Sequence, residues 1–127
     1  MSLKILTVDD SKMVRMVVAN TFNSFDCQVI GAADGVEGVE VALRERPDLI
    51  LLDITMPQMN GIETLTKIRA TPEIATTPVV MLTAESDGER LGMADKLKVN
   101  GYIAKPFKAE QLIELTKSIV PLQPKAP

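Results

Sequence analysis

Five short runs of aliphatic and β-branched residues alternate with longer stretches whose apolar residues recur at helical spacing. The runs are Leu3–Val8, Gln28–Ala32, Leu49–Leu52, Pro78–Leu82 and Gly101–Ala104. Most of them, like Leu49-Ile50-Leu51-Leu52, are apolar at consecutive positions, which suits a strand buried on both faces. Such strands belong to parallel sheets with helices on each side, because parallel neighbours need a crossover long enough to hold a helix. The alternation therefore predicts an α/β chain with a doubly wound parallel sheet of five strand–helix units.

The intervening stretches carry helix punctuation. Ser11 and Asp34 stand as N-caps before the first two helices. Val14, Val17, Val18 and Phe22 form the expected inward stripe of the first, and Val36, Val39 and Leu43 that of the second. Ile62, Leu65 and Ile68 mark a third helix after the Asn60-Gly61 turn. Leu91, Ala94 and Leu97 mark a thinner fourth between Ser86 and Val99, weakened by Gly88 and Gly92. The last helix buries Leu112, Leu115, Thr116 and Ile119 and ends before Pro121. Residues 1–120 thus read as one domain. The segment Pro121–Pro127, with three prolines, reads as a disordered tail or a linker stub.

Composition narrows the function. A chain of 127 residues buries about two-thirds of its unfolded surface, enough for one core. Its net charge of -3 is the opposite of a nucleic-acid footprint, so direct DNA or RNA binding is not expected. The chain reaches Asp9-Asp10 too early for a signal peptide, and no apolar run approaches membrane-spanning length, so a cytoplasmic protein without membrane insertion is expected. The single cysteine, Cys27, has no internal disulfide partner and reads as a small buried hydrophobe. There is no histidine, which excludes histidine kinases, histidine phosphotransfer modules and Ser-His-Asp hydrolases. Any chemistry must rest on carboxylates, hydroxyls and lysine.

Those groups gather at one end of the expected sheet. Asp9 and Asp10 follow the first strand, Asp53 the third, Thr83 the fourth and Lys105 the fifth. Taken singly, each has a structural explanation as a cap, a turn residue, a strand former or a solvated lysine. Together they matter more, because ligands of open α/β sheets bind outside the carboxyl ends of the strands. Three carboxylates in one cleft repel each other, and Mg²⁺, which takes one or two carboxylates and substrate phosphate oxygens, relieves that repulsion. An aspartate beside such a metal can be a nucleophile toward phosphorus, with lysine and threonine holding the phosphoryl oxygens.

With Val8-Asp9-Asp10-Ser11, Leu51-Leu52-Asp53-Ile54-Thr55-Met56-Pro57-Gln58-Met59-Asn60-Gly61, Leu82-Thr83-Ala84 and Lys105-Pro106-Phe107, the chain resembles the response-regulator receiver family of bacterial two-component systems. The resemblance runs from Leu3 to about Val120. It implies a CheY-like, flavodoxin-like (βα)5 fold with strand order 2-1-3-4-5. It implies that Asp53 accepts a phosphoryl group from a sensor histidine kinase or His phosphotransfer protein, and that the domain catalyses this transfer and its own dephosphorylation without steady turnover. Asp10, Asp53 and the Thr55 backbone carbonyl would bind Mg²⁺, Asp9 would act through water, and Thr83 and Lys105 would contact the phosphoryl group. Thr83 and Tyr102 would switch the face formed by the fourth helix, fifth strand and fifth helix for a downstream protein target. The Lys105-Pro106 bond would be cis. Thr55 and Glu85 occupy positions that tune phosphoryl lifetime and differ from the best-known member, so lifetime does not carry over. Lys12 reads as a solvated first-turn residue.

Other readings fit less well. A haloacid-dehalogenase-type phosphatase needs Asp-x-Asp on one strand, whereas the acids here lie on separate strands. A flavin carrier of the same fold class binds phosphate after its first strand, where this chain has two anions. Gly31, Gly35 and Gly38 do not form a dinucleotide fingerprint, and there is no Walker motif. The main alternative is a receiver-like interaction module independent of phosphorylation, and the presence of all five central residues argues against it.

Overall fold

Each of the expected strand–helix units is present in the computed structural model, which describes residues 3–54, 56, 59–83 and 88–125. In chain order the elements are β1 (Leu3–Val8), α1 (Lys12–Thr21), β2 (Cys27–Ala32), α2 (Gly35–Glu45), β3 (Leu49–Asp53), α3 (Gly61–Ala70), β4 (Val79–Thr83), α4 (Gly88–Lys96), β5 (Gly101–Ala104) and α5 (Ala109–Ile119). All strand pairs are parallel, in the order β2-β1-β3-β4-β5. The register aligns the strand ends that matter: Val8 lies opposite Leu52, Asp53 opposite Leu82 and Thr83 opposite Ala104. Asp53 and Thr83 are the last residues of their strands, one position further along than the apolar runs alone suggest.

Successive strand residues point to opposite faces, and the sheet uses both. Ile5, Leu49, Leu51, Val80, Leu82 and Ile103 pack beneath α1 and α5 with Val18, Phe22 and Leu112. Leu6, Val8, Ile50, Leu52, Val79 and Met81 pack beneath α2, α3 and α4 with Val39, Ala42, Leu65, Ile68 and Ala94. Burial on both faces is why these strands carry no polar alternation. The two edge strands are more open, with Gln28 and Gly31 exposed on β2 and Ala104 exposed on β5.

The helix starts follow their caps. Ser11 Oγ accepts from Val14 N at 3.2 Å, and Asp34 Oδ1 accepts from Glu37 N at 2.8 Å. Asn60 and Glu63 exchange hydrogen bonds as a capping box on α3. At Gly61 a Cβ would stand 2.3 Å from the Asp53 carbonyl oxygen, so only glycine lets α3 start against the end of β3.

Several expectations need correction. Val17 and Val36 are 45% and 48% exposed instead of buried. Val14, Val18 and Phe22, four apart, take the sheet-facing stripe of α1, and Val17 is rotated about 100° from Val18. On α2 the inward side is held by Gly35, Gly38, Val39 and Ala42, and Val36 faces out. Cys27 begins β2 and is only half-buried; burial still pushes its thiol pKa up. The segment after α5 is also not free through Lys125. Leu122 is buried in the core, Asp26 N donates to the Gln123 carbonyl at 2.7 Å, and Lys125 N donates to the Ser24 carbonyl at 3.0 Å. The apolar Leu122 between two prolines has a core site available where β2 begins, which proline content alone does not reveal. Ser86, Thr55, Glu85 and the Leu91 side chain lie outside what the structure describes.

At the amino-terminal end of β4 and β5, Arg69 joins three segments. Its guanidinium donates to the carbonyls of Leu97 (2.8 Å), Lys98 (3.2 Å), Ala75 (3.2 Å) and Thr77 (2.7 Å). The end of α4, where carbonyls lack helical partners, is thereby satisfied by a side chain from α3.

Candidate functional site

The carboxyl ends of β1, β3, β4 and β5 bring Asp9, Asp53, Thr83 and Lys105 together, with Asp10 beside them. Asp9 N donates to the Ala32 carbonyl at 3.0 Å, which ties the loop after β1 to β2. The Asp9 carboxylate is fully buried, accepting from Ser11 N at 2.9 Å through Oδ1 and from Lys105 Nζ at 2.9 Å through Oδ2. Lys105 Nζ also lies 3.0 Å from Asp53 Oδ1. One ammonium therefore bridges two acids that are 44 residues apart in sequence (53 - 9).

Asp53 is buried at the end of β3, where Ile54 N donates to the Leu82 carbonyl at 3.2 Å. Asp10 is exposed at the mouth of the cleft. Asp9, Asp10 and Asp53 each offer an oxygen, and these three oxygens lie within 4.8 Å of one another. Mg²⁺ binds oxygen ligands at about 2.0–2.1 Å, so this all-carboxylate donor set suits the ion in its chemistry and gathers three oxygens within reach of one site. Three carboxylates against one lysine leave this cleft negative, which favours a cation.

Burial pulls the Lys105 pKa down, but its hydrogen bonds to Asp9 and Asp53 and their negative charges outweigh that effect. Its pKa ends above the ordinary lysine value, so the ammonium stays charged. Thr83 is buried, and its carbonyl accepts from Lys105 N at 2.7 Å, which registers the lysine against the end of β4. Lys105-Pro106 is cis, as the resemblance implied. Tyr102 is half-buried on β5, and its hydroxyl donates to Asp95 Oδ1 on α4. Lys12 is exposed and makes no ion pair with another described residue.

Sequence reasoning missed Arg15. Its guanidinium donates to the Asp9 carbonyl at 2.6 Å, and its chain lies over Gly31, where a Cβ would stand 3.2 Å from Arg15 Cδ. The available signal was its place one helical turn after the Ser11 cap, on the side of α1 nearest the acids. The Thr55 carbonyl expected to contribute to a metal site lies outside the described residues.

A family model for the response regulator receiver domain matches residues 5–117. Sporulation initiation phosphotransferase F of Bacillus subtilis is 32% identical, with 97% of this chain and 98% of the relative covered. Chemotaxis protein CheY-3 of Vibrio cholerae is 38% identical, with 89% of this chain and 88% of the relative covered. Among solved structures, the chemotaxis protein CheY4 of Vibrio cholerae superposes with a TM-score of 0.88 at 32% identity, covering 94% of this chain and 100% of that one. No helix among the described residues is long and apolar enough to cross a membrane.

Proposed function

The chain belongs to the response-regulator receiver family of two-component signalling, and from that premise we propose a Mg²⁺-dependent phosphorylation switch with Asp53 as phosphoacceptor. The observation that carries this reading is the convergence of Asp9, Asp10 and Asp53 on one cleft with Lys105 bridging two of them.

In the proposed reaction an Asp53 carboxylate oxygen attacks phosphorus in line, a new O–P bond forms, and the P–N bond of a phosphohistidine breaks. The donor imidazole leaves with the bonding electron pair and takes a proton from solvent. Asp10, Asp53 and the Thr55 carbonyl would hold Mg²⁺ directly and Asp9 through water, and the ion would supply charge neutralisation for the phosphoryl oxygens. The inward engagement of Asp9 with Ser11 N and Lys105 supports the water-mediated role, and the exposure of Asp10 supports the direct one. Lys105 and the Thr83 hydroxyl hold the remaining phosphoryl oxygens. Water later attacks the same phosphorus and restores the carboxylate, so the domain dephosphorylates itself and is not a steady-turnover enzyme.

These 127 residues contain no histidine, so the phosphohistidine lies outside them, on a sensor histidine kinase or a His phosphotransfer protein. A groove of about 400 Å³ lined by Met13, Val14, Val17, Lys105, Pro106 and Phe107 offers that donor an apolar seat. Met13 and Met16 are 74% and 55% exposed, and the groove ends at the lysine that touches Asp53, so a protein seated there lies over the acceptor. The readout reaches a downstream protein target through α4, β5 and α5. Thr83 moves toward the phosphoryl group and Tyr102 exchanges its Asp95 contact for the space vacated. These events belong in the cytoplasm, where kinase and target are available.

Intact-mass measurement after incubation with acetyl phosphate and Mg²⁺ tests the acceptor. The wild-type chain should gain one phosphoryl group and Asp53→Asn none. Full modification of that variant would place the acceptor elsewhere.

A further inference from the structure

A concavity at the end of the sheet opposite the acid cleft carries the other sign of charge. It lies where α4 ends and β4 and β5 begin, has a volume of about 440 Å³, and is lined by Arg69, Ala75, Thr76, Lys96, Leu97, Lys98 and Asn100. Three of these residues are cationic and none is acidic. Among the described residues no carboxylate forms an ion pair with Arg69, Lys96 or Lys98. Arg69 meets only backbone carbonyls, which carry partial charges, and its fifth N–H is left over after four are used. Burial without a carboxylate lowers its pKa, in keeping with a guanidinium whose charge is not offset locally.

The walls are fixed in advance. Arg69 is held by four hydrogen bonds, and Asn100 is tied to Val79 in both directions, its Oδ1 accepting at 2.9 Å and its backbone N donating at 2.8 Å. The Asn100 amide nitrogen has no acceptor among the described residues and adds a further donor. Ala75 and Leu97 add apolar surface to the lining beside the cations. The volume falls within the range of roughly 300–1,000 Å³ typical of small-molecule sites, well above the size of one inorganic phosphate.

We propose that this concavity is a second binding site, which takes a small organic anion with a phosphate or carboxylate head on an apolar body. The head lies among Arg69, Lys96, Lys98 and the Asn100 amide, and the body lies on Ala75 and Leu97. In a chain of net charge -3 this unneutralised basic site is where such an anion would be drawn. Its residues lie at the opposite end of the strands from Asp53, and none belongs to the acid cleft.

The test is an amide chemical-shift titration of the full chain with phenyl phosphate, in EDTA so that the acid cleft repels the probe. Saturable shifts at Ala75, Thr76, Leu97, Lys98 and Asn100 are expected, with inorganic phosphate and phenol each binding about tenfold more weakly. The double variant Lys96→Ala/Lys98→Ala removes two exposed cations without touching the carbonyl network, and should weaken phenyl phosphate about tenfold while leaving the melting midpoint unchanged. Equal binding by that variant, equal binding by inorganic phosphate, or shifts that map to Met13, Val17 and Phe107 instead would overturn the proposal.

Discussion

The two ends of this sheet solve opposite electrostatic problems. At the carboxyl end, charged side chains meet each other: Asp9 and Asp53 share Lys105, and Asp10 adds a further negative charge. At the amino end, a charged side chain meets the backbone, with Arg69 drawing in carbonyls from the loop before β4 and from the end of α4. A side-chain cluster with surplus charge responds to ions and to phosphorylation, because its balance changes whenever a cation or phosphoryl group arrives. A guanidinium bonded to four carbonyls holds segments together whether or not its remaining N–H meets an anion. On the proposed function, the difference separates the end that would take up the metal and phosphoryl group from the end that holds α4 to α3 and the loop before β4.

The largest expected effect breaks the anchored end. Arg69→Met leaves four carbonyls without their donor and should cost about 2–3 kcal/mol of stability, measurable by urea unfolding. A loss below about 0.5 kcal/mol would mean that water replaces the guanidinium and that the anchoring role is wrong.

A smaller effect sharpens the account of the sensing end. Mg²⁺ at ten times its Kd should stabilise the wild-type fold by about 1.4 kcal/mol through mass action. In Asp10→Asn the melting midpoint in EDTA should rise, since one repelling charge is gone, and the response to Mg²⁺ should largely disappear. Midpoints in wild type that ignore both Mg²⁺ and chelator would remove the metal from the cleft.

The smallest effect concerns pH. The folded pKa of Lys105 is raised, so its contribution to stability is fully present below the unfolded lysine value, about 10.4, and is lost as pH rises through the higher folded value. Lys105→Met should therefore flatten the alkaline limb of the stability curve and leave its shape near neutrality alone. An unchanged alkaline limb would show that the ion pairs with Asp9 and Asp53 contribute nothing.

Much of this was legible in the chain because it depends on local pattern. Consecutive apolar residues such as Leu49–Leu52 mark strands buried on both faces, and Ser11 and Asp34 mark helix starts through hydrogen bonds spanning three residues. The five chemical residues could be collected from their common place at strand ends. Local spacing did not decide which flank of a helix faces the sheet, as Val17 and Val36 demonstrate, because that rotation is set by the neighbouring element.

Tertiary structure alone decided the long-range partners. The Lys105–Asp9 bond spans 96 residues, and Arg69 reaches Lys98 across 29. Arg15 gained its place by Asp9 only once α1 lay over β2, and Leu122 its burial only once the chain end met the start of β2. Hydrophobic periodicity and capping are encoded within a few residues, so the sequence by itself determined the elements and the kind of chemistry at their ends. Charge pairing and the burial of a chain end depend on segments that meet only after the sheet is ordered, so they belong to the folded molecule.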